Sequence, residues 1–218
     1  SVAMPKFVSV PYVKTGTGVF RSGTEVSVPA VAAPSQASLQ GLFVDGVSQD
    51  VIREDQIWAL PMSMDTIVTY YNKDLLNNSQ IFAPAKTWTD LITQIDSNKL
   101  TLTDEQDNLV RSAVALGTAD NLPYSTDLLS LLFMQNGVPA VIPETPTNLR
   151  TDKAAQAFDF FLSFANPKKV SFSWSATQPN AREAFLSGKL AYFFGTYNDR
   201  DEIAKSGVNW GVGPMLHL

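Results

Sequence analysis

Few residues in this 218-residue chain have the types and spacing that catalysis needs. Cysteine is absent and the single histidine is His217. That excludes disulfides, thiolate zinc sites, cysteine nucleophiles and iron–sulfur ligation, leaves no His-based metal cluster, and argues against a Ser-His-Asp triad. Two acidic groups remain: Asp104, Glu105 and Asp107 in a polar stretch, and Asp199, Asp201 and Glu202 at the start of a helical stretch. A calcium loop needs a glycine after alternating Asp/Asn ligands and a later glutamate, and neither group has that glycine. The second group reads as carboxylates favoured at a helix N-terminus by the macrodipole. A glycosidase requires two carboxylates at a set distance in space, which spacing along a chain does not show. A hydrolase would therefore rest on unpaired carboxylates alone. Gly16-Thr17-Gly18 is too little for a phosphate loop: Arg21 stands where the dinucleotide pattern has its third glycine, and no Gly-Lys-Ser/Thr follows. It reads as a turn.

Two tyrosines are more informative. Tyr124 follows Pro123 just before a helical stretch, and Tyr197 follows Phe194-Gly195-Thr196 at a strand-to-helix turn. Open α/β sheets bind ligands beyond the carboxyl ends of their strands, which is where both residues fall. A tyrosine there offers a flat apolar face and a hydrogen-bonding tip, a combination that suits the CH faces and hydroxyl rims of sugar rings. The alternative is that each ring only packs over the sheet edge.

The elements that would hold these residues follow from composition and pattern. The chain is 44% apolar and 17% charged with a net charge of −5, enough for a sizeable core and unsuited to nucleic acid, which needs a basic face. Set against an average of about 150 residues per domain, its length fits one large domain or two small ones. No apolar run approaches the ~18 residues of a membrane span. No basic segment leads into an apolar one, so no signal peptide is expected, and a start at Ser1 is expected of a processed or partial chain. Residues 7–13 and 25–28 read as short β segments among glycines and prolines. Leu39, Phe43 and Val47, with Leu42, then recur at helical spacing. Strands are expected at 57–61, 66–71, 112–116, 190–194 and 208–212, and helices at 125–136, 152–165, 181–186 and 198–205, besides one capped by Thr87 whose Trp88, Leu91, Ile92 and Ile95 form one stripe. Thr87 and Asp90 form a capping-box pattern, and Gly137 and Gly188 are helix stops. Strands separated by helices predict an α/β fold with a largely parallel sheet.

Three blocks resemble the extracellular solute-binding proteins of the maltose-binding type. The first is Leu60-Pro61-Met62-Ser63-Met64-Asp65-Thr66, followed by Tyr70-Tyr71-Asn72-Lys73-Asp74-Leu75-Leu76, Pro84 and Thr87-Trp88-Thr89-Asp90-Leu91. The second is Ala184-Phe185-Leu186-Ser187-Gly188-Lys189-Leu190-Ala191-Tyr192 with Gly195 and Tyr197 after it. The third is Val208-Asn209-Trp210-Gly211-Val212-Gly213-Pro214-Met215. They occur in family order over residues 42–218.

The resemblance implies a lobe of the type II periplasmic-binding-protein kind, α/β with a mostly parallel sheet and helices on both faces. Residues 1–66 would be a partial or atypical first lobe and hinge strand, 67–212 the second lobe, and 213–218 the return hinge segment. It implies a non-enzymatic, extracytoplasmic protein without a cofactor that carries a sugar or oligosaccharide to the permease subunits of a membrane importer. Position by position, Asp65 matches an acidic residue that hydrogen-bonds sugar hydroxyls, Tyr124 an aromatic on a loop facing the ligand, and Tyr197 an aromatic that stacks on a sugar ring. Trp174 and Asn198 lie close to these positions. Trp174 could instead anchor its loop, and Asp65 could cap or pair locally. The segment before the hinge strand and the one after the return strand are both shorter than in the family, so the first lobe is expected to be incomplete. A binder lacking most of one wall should fall from micromolar to millimolar affinity, since each lost contact of about 1.4 kcal/mol is a factor of ten. The rival expectation is a structural or interaction module that keeps the lobe and lacks tight binding.

Overall fold

The computed structural model describes residues 7–8, 12–15, 23–26, 31–32, 34–97, 99–106, 108–138 and 152–218, with side chains from residue 34 onward. The chain divides into two units, Ser1–Met64 and Asp65–Leu218. In the first, strands β1 (Phe7–Val8), β2 (Tyr12–Thr15), β3 (Gly23–Val26) and β4 (Val31–Ala32) form two antiparallel pairs, β1 with β4 and β2 with β3. The Gly16–Gly18 turn, residues 9–11 of the first expected β segment and residues 27–28 of the second lie outside the described residues. Helices α1 (Gln36–Leu42) and α2 (Asp45–Val51) follow, then a small hairpin of β5 (Ile52–Arg53) and β6 (Gln56–Ile57). The stripe of Leu39, Phe43 and Val47 is therefore two helices and not one. Phe43 and Val44 take extended backbone between them, and the apolar spacing continues across that break. The strand expected at 57–61 ends at Ile57.

The second unit is built on one five-stranded sheet in the order β11-β7-β10-β9-β8. Its members are β7 (Val68–Asn72), β8 (Leu102–Thr103), β9 (Leu109–Val114), β10 (Leu190–Gly195) and β11 (Trp210–Gly213). The four strands expected beyond residue 65 thus share a sheet. Their directions differ from the expected mostly parallel arrangement: of the four pairings, only β9–β10 is parallel. The helical crossovers do keep β9, β10 and β11 in one sense, as a helix between strands requires. β7, however, enters between β10 and β11 and runs against both, and β8 joins β9 by a hairpin. Asp104 closes that hairpin, its carboxylate accepting from the N–H groups of Gln106 and Asn108 at 2.9 Å each. This is the bonding of an Asx turn.

Local chemistry sets the helices: α3 (Lys73–Asn78), α4 (Trp88–Ser97), α5 (Ser125–Gln135), α6 (Asp152–Ser163), α7 (Ala181–Leu186) and α8 (Arg200–Lys205). The Thr87 hydroxyl accepts from the Asp90 N–H at 3.0 Å, and the Asp90 carboxylate accepts from the Thr87 N–H at 2.9 Å. This reciprocal box opens α4 and satisfies two otherwise orphaned donors. Asn72 caps α3 by accepting from the Asp74 and Leu75 N–H groups, and Asn180 caps α7 by accepting from the Arg182 N–H. Gly137 and Gly188 follow α5 and α7 in the left-handed region that glycine enters without a Cβ clash. A short 3-10 turn, Tyr197–Asp199, precedes α8, so Asp201 and Glu202 occupy the first helical turn while Asp199 has a separate place.

Every residue of β10 is buried, as a strand covered on both faces must be. Around it the buried rings of Tyr70, Trp88, Phe164, Trp174 and Phe185 pack among aliphatic side chains in one core. Burial pushes the Tyr192 hydroxyl up to about 12, and it stays protonated to donate to Gln94 at 2.7 Å while accepting from the Ala85 N–H at 2.8 Å. Among the described residues no helix is long and apolar enough to cross a membrane.

Candidate ligand-binding site

The candidate residues gather at one edge of the sheet in Asp65–Leu218. Gly195 at the carboxyl end of β10 pairs with Val68 at the amino end of β7, and Gly213 at the end of β11 pairs with Thr69. Segment 65–67, turn 196–198 and Met215 therefore meet there. The loop that leaves β9 reaches the same edge through Tyr124, the residue before α5. Together they border a cavity of about 640 Å³, within the size of small-ligand sites.

Asp65 ties two of these segments together. Its Oδ1 accepts from the Thr66 N–H at 2.9 Å and the Tyr197 N–H at 3.0 Å, and its Oδ2 from the Asn198 side-chain amide at 2.7 Å. Desolvation raises the Asp65 pKa, and hydrogen bonds from the Thr196 side chain and the backbones of Tyr197, Thr66 and Asn198 outweigh it, leaving the carboxyl below its ordinary value. The folded unit thus holds this proton less firmly than the unfolded chain. The resulting stabilisation is complete above the ordinary pKa of 3.8 and is lost as pH falls through the lower folded value. Asp65→Asn should accordingly be less stable than the parent near neutrality, with the gap in urea midpoints closing on acidification below pH 3.8. A gap independent of pH would contradict this.

Tyr124 is fixed in an unusual backbone state. It has φ +60°, rare for a residue with a side chain, and no side-chain cap of its own. Its hydroxyl donates to Asp199 Oδ2 at 3.2 Å, lies 3.4 Å from the Thr196 hydroxyl and accepts from Arg182 Nη2 at 3.3 Å. Asp199, 3% exposed, also accepts from the Thr196 N–H at 2.7 Å and pairs with Arg182 at 2.5 Å. Desolvation lowers the Arg182 pKa, but Asp199, with help from Tyr124 and Glu202, carries it above the ordinary value. The tip of Tyr124 is therefore engaged within the protein, and what it offers the cavity is ring.

The structure treats the five expected residues differently. Asp65, Tyr124 and Asn198 line the cavity. Tyr197 lies on the neighbouring turn, 67% exposed as a residue and with the Arg200 guanidinium 5.9 Å from its ring centroid, and it is not part of the lining. Trp174 is 0% exposed and donates to Asn121 Oδ1 at 3.2 Å, so it anchors its loop in the core and presents no face to a ligand. A sequence position near the site did not reveal that burial. The lining also includes Thr66, Ile67, Thr196, Met215 and one face of α5: Asp127, Ser130, Leu131 and Met134. These α5 residues repeat at intervals of three and four, a helical face of their own. That spacing is the signal the sequence carries for this face.

A family model of bacterial extracellular solute-binding proteins matches residues 10–216. This chain belongs to that family. The fold of this solute-binding protein is similar to that of a cyclo/maltodextrin-binding protein complexed with maltotetraose, with TM-score 0.62 and 17% identity over 85% of this chain and 46% of that one. It is also similar to maltose-bound MalE3 of T. maritima, with TM-score 0.58 and 19% identity over 84% and 46% of the two chains. A third is an ABC substrate-binding protein from Listeria monocytogenes in complex with cycloalternan, with TM-score 0.58 and 18% identity over 77% and 41%. The solute-binding chain thus spans less than half the length of these structures. A comparison with curated proteins gives no match.

Proposed function

We propose that this solute-binding protein takes up a sugar or oligosaccharide outside the cytoplasm in the cavity of Asp65–Leu218 and passes it to the permease subunits of an importer. The role is carriage, without a catalytic step. The observation that carries the reading is the mixed lining: apolar Ile67, Leu131, Met134 and Met215 and the Tyr124 ring, set beside the polar groups of Asp65, Thr66, Ser130, Thr196 and Asn198. A pyranose has the complementary surface, apolar on its CH face and hydroxylated at its rim. In this reading Asp65 orients Asn198, and the lone-pair capacity left on its Oδ2 receives a sugar hydroxyl. Tyr197 stands at the rim. Residues 1–66 and 213–218 are a partial first lobe with its hinge segments. Sugar-bound relatives of the same fold favour this class of ligand.

Titration calorimetry against malto-, xylo- and cello-oligosaccharides tests the reading. At least one series should bind saturably, and Tyr124→Ala should weaken it about tenfold, the effect of losing one ring contact of about 1.4 kcal/mol. Absence of heat with every series would overturn it. The second reading, a module without tight binding, is favoured by the three hydrogen bonds that already occupy Asp65 within the protein.

A further inference from the structure

The charges around the cavity narrow the ligand class, an inference that rests on the carbohydrate reading above. Two lining residues, Asp65 and Asp127, are acidic, and no lysine or arginine is among the lining residues described. Arg182, the cation behind Tyr124, is held by buried Asp199. Asp127 differs from Asp65 in a useful way. It sits in the first turn of α5 on the face that borders the cavity, and among the described residues nothing hydrogen-bonds or ion-pairs with its carboxylate. Its neighbours on that face, Ser130, Leu131 and Met134, supply one hydroxyl and otherwise apolar surface. An acidic ligand would face two carboxylates with no compensating cation, whereas an ammonium would find in Asp127 an unengaged partner for a charge-assisted hydrogen bond.

We propose that the cavity discriminates by charge, taking amino-bearing sugars ahead of neutral ones and rejecting uronates, with Asp127 as the residue that sets the order. Asp65, whose carboxyl is held below the ordinary range by its hydrogen bonds, adds a second negative charge at neutral pH.

The test uses three β-1,4-linked trimers, of glucosamine, glucose and glucuronate, titrated into the 218-residue chain at low salt below pH 7, where the amine is charged. The expected order is glucosamine over glucose by tenfold or more, with the glucuronate trimer at least tenfold weaker than glucose. In Asp127→Asn the glucosamine-to-glucose ratio should fall to between one and three, and 1 M salt should shrink the ratio in the parent. Asp201→Asn, which removes a helix-start carboxylate outside the cavity lining, should leave the ratio as in the parent. Equal binding of glucuronate and glucose, or a ratio unmoved by Asp127→Asn, overturns the charge proposal and leaves the carbohydrate reading standing. Failure of all three trimers also overturns it. The carbohydrate reading then falls as well only if the malto-, xylo- and cello-oligosaccharide panel is equally silent.

Discussion

Gly117→Ala is expected to cost the Asp65–Leu218 unit about 4 kcal/mol, a large loss for a single added methyl group. Gly117 lies in the loop that runs from β9 to Tyr124, and it has φ +90°. A Cβ built there would lie 2.8 Å from the Ala165 Cβ, 2.8 Å from the Ala165 backbone nitrogen and 3.0 Å from the Phe161 carbonyl oxygen. Two of those three atoms are backbone, at the end of α6 and just beyond it, and cannot swing aside as a side chain would. Left-handed strain of about 1–3 kcal/mol adds to overpacking of about 1–3 kcal/mol. In a unit of this size that is a fall of about 10 °C in melting temperature. By contrast, Gly207, also at positive φ, has open space around its would-be Cβ. Gly207→Ala should show the backbone strain alone. Equal melting temperatures for the two variants would mean that the close packing of loop 117–124 against α6 is wrong.

Asp199→Ala should cost about 3 kcal/mol. The carboxylate is buried and serves the Thr196 N–H, the Tyr124 hydroxyl and the Arg182 guanidinium. Losing it leaves the N–H of buried Thr196 without its acceptor, at about 1–3 kcal/mol, and removes the acceptor of the Tyr124 hydroxyl, worth about 1 kcal/mol. Arg182 is about one-third exposed and recovers part of its solvation, so the ion pair adds little. Asp199→Asn keeps one acceptor oxygen and should lose about half as much. Asp199→Ala also releases Tyr124, whose left-handed backbone has no cap of its own to hold it. Sugar affinity should therefore fall in Asp199→Ala even below its melting range, although Asp199 is not among the lining residues. Thermal melts and titrations on the same preparations check both parts. An Asp199→Ala protein as stable as the parent would contradict the network.

Much of this fold was legible in the chain because caps and periods are local. Thr87 and Asp90 announce α4, Gly137 and Gly188 end two helices, and the β-branched and aromatic run before Asn72 is a buried strand. Strand direction was not legible, because β7 takes its place between β10 and β11 through contacts distant in sequence. The break between α1 and α2 was hidden for the opposite reason: the apolar spacing there is helical whether or not the backbone is. At the site, Tyr124 stood on a loop beyond a strand's carboxyl end, where sheet topology concentrates ligands, whereas Asp65 came forward only through the resemblance of block 60–66. Trp174 stood equally near in sequence, yet its indole is fully buried against Asn121, and burial is a property of the whole packed unit. Asp199 read as one of three helix-start carboxylates, and only the fold sets it apart as buried beside Arg182.

The central claim is that the cavity bordered by Asp65, Tyr124 and Asn198 is where a sugar binds. Backbone amide chemical shifts recorded during titration with whichever oligosaccharide gives heat locate the contact directly. The account predicts that the largest changes fall on Thr66, Ile67, Tyr124, Asp127, Thr196 and Asn198, saturating with the calorimetric affinity and needing correspondingly more sugar in Tyr124→Ala. Shifts concentrated instead around the exposed Phe158 and Leu162 of α6, with those six amides unmoved, would place the ligand elsewhere and contradict it.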